Sequence, residues 1–247
     1  MAGRRRLGRT QELGYHQDMK TFIRLLAVAL LLGTAAPVAA ADRDATEELV
    51  LRAETAIRRL VRDENIGRQI TARLPHARAV MVFPSLYRGA FIIGGEGGDG
   101  VLVARGPDGK WGGPAFVRLI SASIGLQIGG QVAEAMLLVM TDSALEALLA
   151  DKVKLGADVA VTVGPVGAGA AVGTSTAVQG ADVWAFSHAE GLFGGGALGG
   201  GVLKQREQSN TAYYGGAVGV REIVAGTARP NAQADGLRAT LDDAGAR

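Results

Sequence analysis

The sequence predicts an α+β fold: a curved, mainly antiparallel β-sheet, or a partly closed β-barrel, packed against an N-terminal amphipathic helix. Three apolar runs, at residues 80–83, 90–93 and 101–104, have the length of strands, and glycine or proline bounds each of them. The chain also contains 37 glycines, many in clusters, and glycine lets a sheet bend at a barrel corner. A hydrophobic pattern with helical spacing precedes the strands and predicts the helix.

Residues 1–40 are predicted to be a leader that contains a secretory signal peptide. Residues 19–24 supply a basic start, residues 25–32 an apolar core, and residues 38–40 the small side chains that signal peptidase needs. We therefore expect initiation at Met19 and cleavage near Ala40 or Ala41, which would place the mature protein in the periplasm or outside the cell. An uncleaved membrane anchor is the alternative, but glycine and proline interrupt the apolar run before the ~20 residues that a span needs.

Removing this leader reverses the sign of the net charge. The full chain has 26 Lys and Arg against 24 Asp and Glu, and residues 1–40 hold six of the basic and two of the acidic residues, which leaves 20 against 22. The pI of about 9.1 is therefore mostly a property of the leader, and it does not support a nucleic-acid partner. The chain has no cysteine, which excludes disulfides, thiolate metal sites and a lipid-anchored cysteine.

Residues 41–75 are predicted to form one amphipathic helix ahead of the sheet. Its apolar residues recur at helical spacing: Leu49, Ala53, Ile57, Leu60 and Val61. Such a helix could lie on a membrane, with Arg58, Arg59 and Arg62 close together on one side. It could also pack on its own domain and leave a solvated charged face. The second interpretation is favoured, because seven acidic residues balance seven basic ones between positions 42 and 73.

Residues 76–227 are predicted to form a glycine-rich β core. Beyond the first three runs, strands are expected near residues 111–120, 135–140, 158–163, 181–186, 200–204 and 212–215. A short helix over residues 142–149 is expected to be capped by Asp142. Residues 228–247 are polar and alanine-rich, which predicts either a fraying helix or a disordered tail.

The chain offers few residues that could carry out chemistry. Residues 95–100 fit the dinucleotide-binding pattern GxGxxG, but a strand-like run follows them where that site requires a helix. His76 and His188 are too few and too isolated for a zinc site, and Ser187 and His188 point to opposite faces if they lie on a strand. The sequence therefore predicts no enzyme activity, no metal and no cofactor.

The glycine clusters at residues 94–100, 129–130, 194–196 and 199–201 have two interpretations. They could line a groove that a lipid or a partner's backbone approaches closely. They could instead shape a strongly curved sheet through bulges and bends. The use of glycine at barrel corners favours the second interpretation, and both can hold together.

Several motifs in one order resemble the SYLF lipid-binding family. They are AVMVFP at 79–84, RGAFIIGG at 88–95, GGDGVLVAR at 97–105, WGGP at 111–114, QIGGQ at 127–131, VGPVG at 163–167, EGLFGG at 190–195 and YYG at 213–215. The resemblance covers about residues 65–226. It implies binding of membrane lipids, phosphoinositides in the eukaryotic relatives, some of which also bind and bundle actin. It implicates Arg58, Arg59 and Arg62 of the helix, together with Arg88.

We therefore predict a non-enzymatic, peripheral membrane protein that binds anionic phospholipid head groups through local Arg and Lys clusters. Lys152, Lys154, Lys204 and Arg206 are secondary candidates, and no transmembrane segment is expected after signal cleavage. The secretory leader argues against phosphoinositides and actin as native partners. The alternative is a periplasmic structural or adaptor protein that holds a protein partner on its glycine-rich β-surface. A hydrolase ranks third, because no nucleophile–base pair is visible.

Overall fold

The structure is a computed structural model that describes residues 35–90, 93–124, 129–163, 182–190 and 201–247. Residues 1–42 form one unit, of which only the start of a helix is described, and residues 43–247 form a second, compact unit. The predicted signal peptide therefore lies mostly outside the described residues. The helices are α1 (Ala35–Arg62), α2 (Gly67–Arg73), α3 (Asp142–Leu148), α4 (Glu207–Tyr214), α5 (Val220–Val224) and α6 (Asp235–Gly245), with 3-10 turns at Leu74–His76 and Ala232–Ala234.

Eight strands form one mixed sheet. They are β1 (Ala79–Ala90), β2 (Ile93–Ala104), β3 (Ala115–Ile124), β4 (Gly129–Val139), β5 (Lys152–Lys154), β6 (Val161–Val163), β7 (Val183–Glu190) and β8 (Val202–Gln205). Their order in the sheet is β5-β8-β3-β2-β1-β4-β7-β6. Every neighbouring pair is antiparallel except β6 and β7, which are parallel.

The chain connection between the two edge strands shows that the sheet curls. β5 and β6 lie at opposite edges, yet only residues 155–160 separate them in sequence. Seven strand spacings of about 4.8 Å would put the edges of a flat sheet about 34 Å apart. A connection of this length reaches at most about 25 Å. The curved, partly closed sheet predicted from the glycine content is therefore confirmed.

The central strands are buried on both faces. Val80 and Val82 of β1 pack with α1 and α6 on one side, which we call the helix face. Met81 and Phe83 of the same strand pack on the opposite face, with α3 and α5. Burial on both faces explains why β1 reads as a continuous apolar run instead of alternating apolar and polar residues.

The prediction of a single helix over residues 41–75 is wrong in one respect. Helix α1 ends at Arg62, and a second helix, α2, begins at Gly67. The carboxylate of Asp63 accepts hydrogen bonds from the backbone N–H groups of Asn65 at 2.8 Å and Ile66 at 3.2 Å. This local turn competes with continuation of the helix. At Gly67 a Cβ atom would lie 2.2 Å from the carbonyl oxygen of Val61, so the chain can fold back there only with glycine.

The glycine run at 94–100 lies inside strand β2 and is not a loop between two strands. A Cβ atom at Gly98 would lie 2.1 Å from the carbonyl oxygen of Ser85. One at Gly100 would lie 2.5 Å from the carbonyl oxygen of Val82. The register of β1 against β2 shifts between Val82 and Tyr87, at the same place. These two glycines therefore shape the sheet by admitting the bulged neighbouring strand.

Three local predictions are also corrected. The C-terminal segment is neither frayed nor disordered: α6 forms there, and its Leu237 and Leu241 are fully buried. The segment around Ala212 belongs to helix α4 and not to a strand. The cap of α3 is Thr141, whose hydroxyl accepts the N–H of Ala144 at 3.2 Å, and Asp142 is the first helical residue.

Candidate functional site

The apolar face of α1 is used inside the protein. Ala53, Ile57 and Leu60 are each 0% exposed and pack against the valines of the helix face. The interpretation of this helix as packed on its own domain is therefore confirmed. An α1 that lay on a membrane with the same face would first have to leave the sheet.

The three predicted arginines of α1 do not form one cluster. Arg58 donates to Glu54 at 2.7 Å, and Arg59 forms an ion pair with Glu134 of β4. Among the residues that the structure describes, Arg62 forms no ion pair. Arg88 lies in β1, opposite Glu96 of β2 in register, and its side chain lies outside the described part of the structure. Arg62 is thus the helix arginine that remains available to a ligand.

Three basic side chains lie directly opposite one another on neighbouring strands. Lys152 of β5 is paired in register with Lys204 of β8, and Lys204 with Arg118 of β3. All three are exposed, and we call them the cationic row. Phe116, two residues before Arg118, packs on the helix face, so the alternation of the strand places the row on that face. Like charges at opposed positions destabilise a sheet, so this row lowers the stability of the fold.

One carboxylate ends the cationic row. Asp99 of β2 pairs in register with Arg118 and accepts from its Nε and Nη2 at 2.6 and 2.8 Å. These hydrogen bonds raise the pKa of the Arg118 guanidinium above its ordinary value. Arg206 binds the same carboxylate. Within the described part of the chain, neither Lys152 nor Lys204 has an ion-pair partner, so Asp99 leaves most of the positive charge uncompensated.

Some residues of this basic surface were predicted from the sequence as binding candidates, and one was not. Lys152, Lys204 and Arg206 were secondary candidates, and they lie together. Lys154, also named, follows Lys152 on β5 and points the same way. Arg118 was missed because it lies within an apolar strand. Its position between Val117 and Leu119, which both pack on the opposite face, is the alternation signal that identifies it.

A second polar site lies between α1 and the sheet, in a groove of about 530 Å³. It is lined by Arg52, Thr55, Arg59, Arg62, Asp63, Pro84, Ser85, Val132, Glu134 and His188. Nδ1 of His188 lies 2.8 Å from Oδ2 of Asp63, a contact between residues 125 positions apart. Burial raises the pKa of Asp63, but hydrogen bonds from the Asn65 backbone, His188 and the Ile66 backbone outweigh it and leave the pKa lowered.

This groove does not contain a complete nucleophile–base pair among its described side chains. Asp63 orients His188, as the acid of a hydrolytic triad would, but no hydroxyl group hydrogen-bonds to the histidine. The Ser85 hydroxyl donates instead to the Pro84 carbonyl oxygen at 2.7 Å and accepts from Arg52 at 2.5 Å. In the described residues, no group of three or more His, Asp or Glu side chains is arranged to hold a metal ion. No described helix has both the length and the apolar content to cross a membrane.

Comparison with known proteins identifies the protein family to which this chain belongs. Residues 120–244 match the family described as Ysc84, Las17-binding protein actin regulator. The match covers half of the chain, which therefore belongs to the Ysc84 family, whose domain is also called SYLF. This confirms the resemblance that the motifs of the sequence indicated. The description of the family is that of a binding protein.

Two relatives illustrate how far the similarity extends. LAS seventeen-binding protein 3 of Saccharomyces cerevisiae is 30% identical over 171 residues, which cover 68% of this chain and 37% of the relative. SH3 domain-containing YSC84-like protein 1 of Homo sapiens is 31% identical over 159 residues, or 64% of this chain and 46% of the relative. The chain thus matches less than half the length of these relatives. No solved structure gives a significant match.

Proposed function

We propose that this protein binds anionic phospholipid surfaces peripherally and without catalysis, through the cationic row. The observation that carries the proposal is the alignment of Lys152, Lys204 and Arg118 across three strands, without a carboxylate between them. A protein that needed only a stable sheet would gain by replacing one of these residues. A cationic surface of this kind attracts the phosphate groups of an anionic bilayer.

The magnitude of this attraction shows what kind of binding to expect. A Lys or Arg close to an anionic membrane contributes about 1 kcal/mol. The three residues of the row therefore supply about 3 kcal/mol, which corresponds to weak, reversible contact. Lys154 and Arg206 add to this at the edges of the row. Salt screens each of these contributions, because the side chains are exposed.

Co-sedimentation with phosphatidylglycerol-containing vesicles over a range of salt concentrations tests the proposal. Lys204→Glu changes the charge of the row by two units, and we expect vesicle affinity to fall about 30-fold at low salt. Lys110→Glu makes the same change of charge on an exposed turn residue between β2 and β3, and it serves as the matched control. Equal losses for the two variants, or no binding of the unaltered protein at low salt, would contradict the proposal.

We also propose that the protein acts after export, in the periplasm or outside the cell. The basic start, apolar core and small residues of the leader support this. Intact mass measurement of the protein purified from a bacterium that expresses the full sequence is the test. A mature chain that starts at Ala41 or Asp42 is the expected result. A chain that retains residues 1–40 would contradict export with cleavage.

A protein partner is the second candidate function. It is favoured by the names of the family and of the yeast relative, which describe binding to Las17. In this chain the same exposed face would hold the partner. Binding to neutral and anionic vesicles alike at background level, together with a stable complex with an exported protein, would favour this candidate over the lipid.

A further inference from the structure

A row of four apolar side chains and one glycine crosses the sheet next to the cationic row; three of the side chains are exposed and that of Val202 is half-buried. Register joins Val202 of β8 to Ile120 of β3, and Ile120 to Gly97 of β2. It then joins Gly97 to Tyr87 of β1, and Tyr87 to Val132 of β4. Tyr87 is 59% exposed, Val132 43% and Ile120 42%. We call these five residues the apolar row.

The apolar row lies on the helix face, at the edge of the part that α1 covers and beyond it; Val132 also lines the groove beside α1. Met136, Glu134 and Val132 alternate along β4 on this face, and exposure rises from 0% at Met136 to 43% at Val132. Val82 of β1 is likewise buried, whereas Tyr87 is exposed. Beyond the part that α1 covers, the helix face still carries apolar residues, and these are exposed. A contiguous apolar patch of this kind usually marks an interaction surface.

Beyond the apolar row, the helix face carries glycine on β2, β1 and β4. The next row on the same face pairs Gly95 with Gly89 and Gly89 with Gly130. Charged residues stand at the two ends of the apolar row itself: Lys154 of β5 pairs in register with Val202, and Glu190 of β7 pairs with Val132. On β3 the helix face therefore changes from the cationic Arg118 to the exposed apolar Ile120. On β1 and β4 the exposed Tyr87 and Val132 are followed on the same face by glycine. Phosphate groups, interface and acyl chains follow one another in the same order in a bilayer.

We propose that the apolar row inserts into the interfacial layer of an anionic bilayer, so that the open half of the helix face is the membrane-docking surface and α1 is not. The inference rests on the proposed membrane binding and specifies its orientation. The cationic row reaches phosphate groups, while Ile120 and Val132 enter the boundary of the acyl chains. Tyr87 keeps its hydroxyl at the polar level, where aromatic side chains of this type concentrate.

Charge argues for a bilayer over a second copy of the chain as the occupant. A twofold dimer joins the same patch on both subunits. Pairing through this face would bring two cationic rows to one interface, and the carboxylates described on that face, Asp99 and Glu134, already form ion pairs with arginines of their own chain. An anionic bilayer supplies the opposite charge next to an apolar layer, which matches both rows at once.

The absence of cysteine from the sequence allows a direct test with single-cysteine variants. Ile120→Cys and Val132→Cys carry an environment-sensitive fluorophore, and Leu51→Cys is the matched control. Leu51 is also an exposed hydrophobic residue, at 55%, but it lies on the solvent side of α1. With phosphatidylglycerol-containing vesicles, we expect the labels at positions 120 and 132 to shift to the blue and to be quenched by lipids that carry a shallow nitroxide. The label at position 51 should stay as it is in buffer.

Each other outcome overturns the inference in a recognisable way. Co-sedimentation with unchanged labels at 120 and 132 would leave membrane binding standing but refute this orientation. A response at position 51 alone would make α1 the docking surface. A concentration-dependent response without vesicles would assign the row to a second copy of the chain. No co-sedimentation at all would remove the proposed function as well.

A side-chain truncation provides a second, label-free measurement. Tyr87→Ala removes the most exposed apolar member of the row, and because the side chain is exposed we expect the variant to fold. We expect vesicle affinity to fall about tenfold, with an unchanged circular dichroism spectrum. An affinity equal to that of the unaltered protein would contradict insertion of the row.

Discussion

Replacing Leu241 by alanine tests the placement of the C-terminal helix, the element that sequence patterns describe least well. Leu241 of α6 is 0% exposed and packs in the cluster on the helix face. Loss of the buried carbons costs about 2.4 kcal/mol at about 0.8 kcal/mol per methylene group. The cavity left behind raises the expected loss in the free energy of unfolding to about 3–4 kcal/mol.

Urea unfolding of residues 41–247, followed by the fluorescence of Trp111 and Trp184, measures this loss. With a denaturant dependence of about 2 kcal/mol per molar urea, the midpoint should fall by about 1.5–2 M. The thermal midpoint should fall by about 10 °C. Leu51→Ala is the control, because Leu51 is 55% exposed and should cost no more than about 0.5 kcal/mol. If Leu241→Ala shifts the midpoint no more than Leu51→Ala does, α6 is not packed on the sheet and the tail interpretation is restored.

Three further predictions concern single residues of the sheet and of the two polar sites. Gly100→Ala should destabilise the fold by more than about 2 kcal/mol, because its Cβ would lie 2.6 Å from Cδ1 of Phe83; Gly216→Ala, whose Cβ would contact nothing within 4 Å, is the control in the same urea experiment. The lowered pKa of Asp63 means that its ionised form stabilises the fold above its ordinary value of 3.8, and that this stabilisation is lost as the pH falls through the lower folded value. Asp63→Asn should therefore flatten the decline of the thermal midpoint below about pH 4, and an unchanged decline would contradict this. Asp99→Asn should strengthen binding to anionic vesicles about fivefold at low salt, since it removes the carboxylate that pairs with Arg118 at the end of the cationic row; weaker binding would show that Asp99 positions Arg118 for the ligand.

The fold class follows from local patterns, but the element boundaries depend on contacts between distant residues. Apolar runs and glycine content are enough to predict a curved sheet. The break after Arg62 comes from a turn at Asp63 that a helical hydrophobic pattern does not reveal. The order of α6 comes from burying Leu237 and Leu241 in one cluster with α1, a helix that ends at Arg62, far earlier in the chain. Composition alone cannot show that burial.

The candidate site could be predicted only in part, for a related reason. The basic residues Lys152 and Lys204 are visible in the sequence as separate candidates. Their alignment requires that β8 pair with both β5 and β3, and these pairings join strands that are distant in sequence. The contact between Asp63 and His188 spans 125 residues and is equally invisible to spacing rules. Sequence patterns therefore supplied the residue types, and the sheet topology supplied their arrangement.

Energetics favours the open half of the sheet over α1 as the membrane contact. If α1 moved from the sheet onto a bilayer, Ile57 and Leu60 would be buried again in lipid. Those two side chains would therefore lose little free energy of burial. The valines beneath them, Val80 and Val82 among others, would pass from full burial to water. At about 2 kcal/mol for each such side chain, two of them already cost about 4 kcal/mol. The cationic row supplies only about 3 kcal/mol, whereas the apolar row is exposed from the start and needs no such rearrangement.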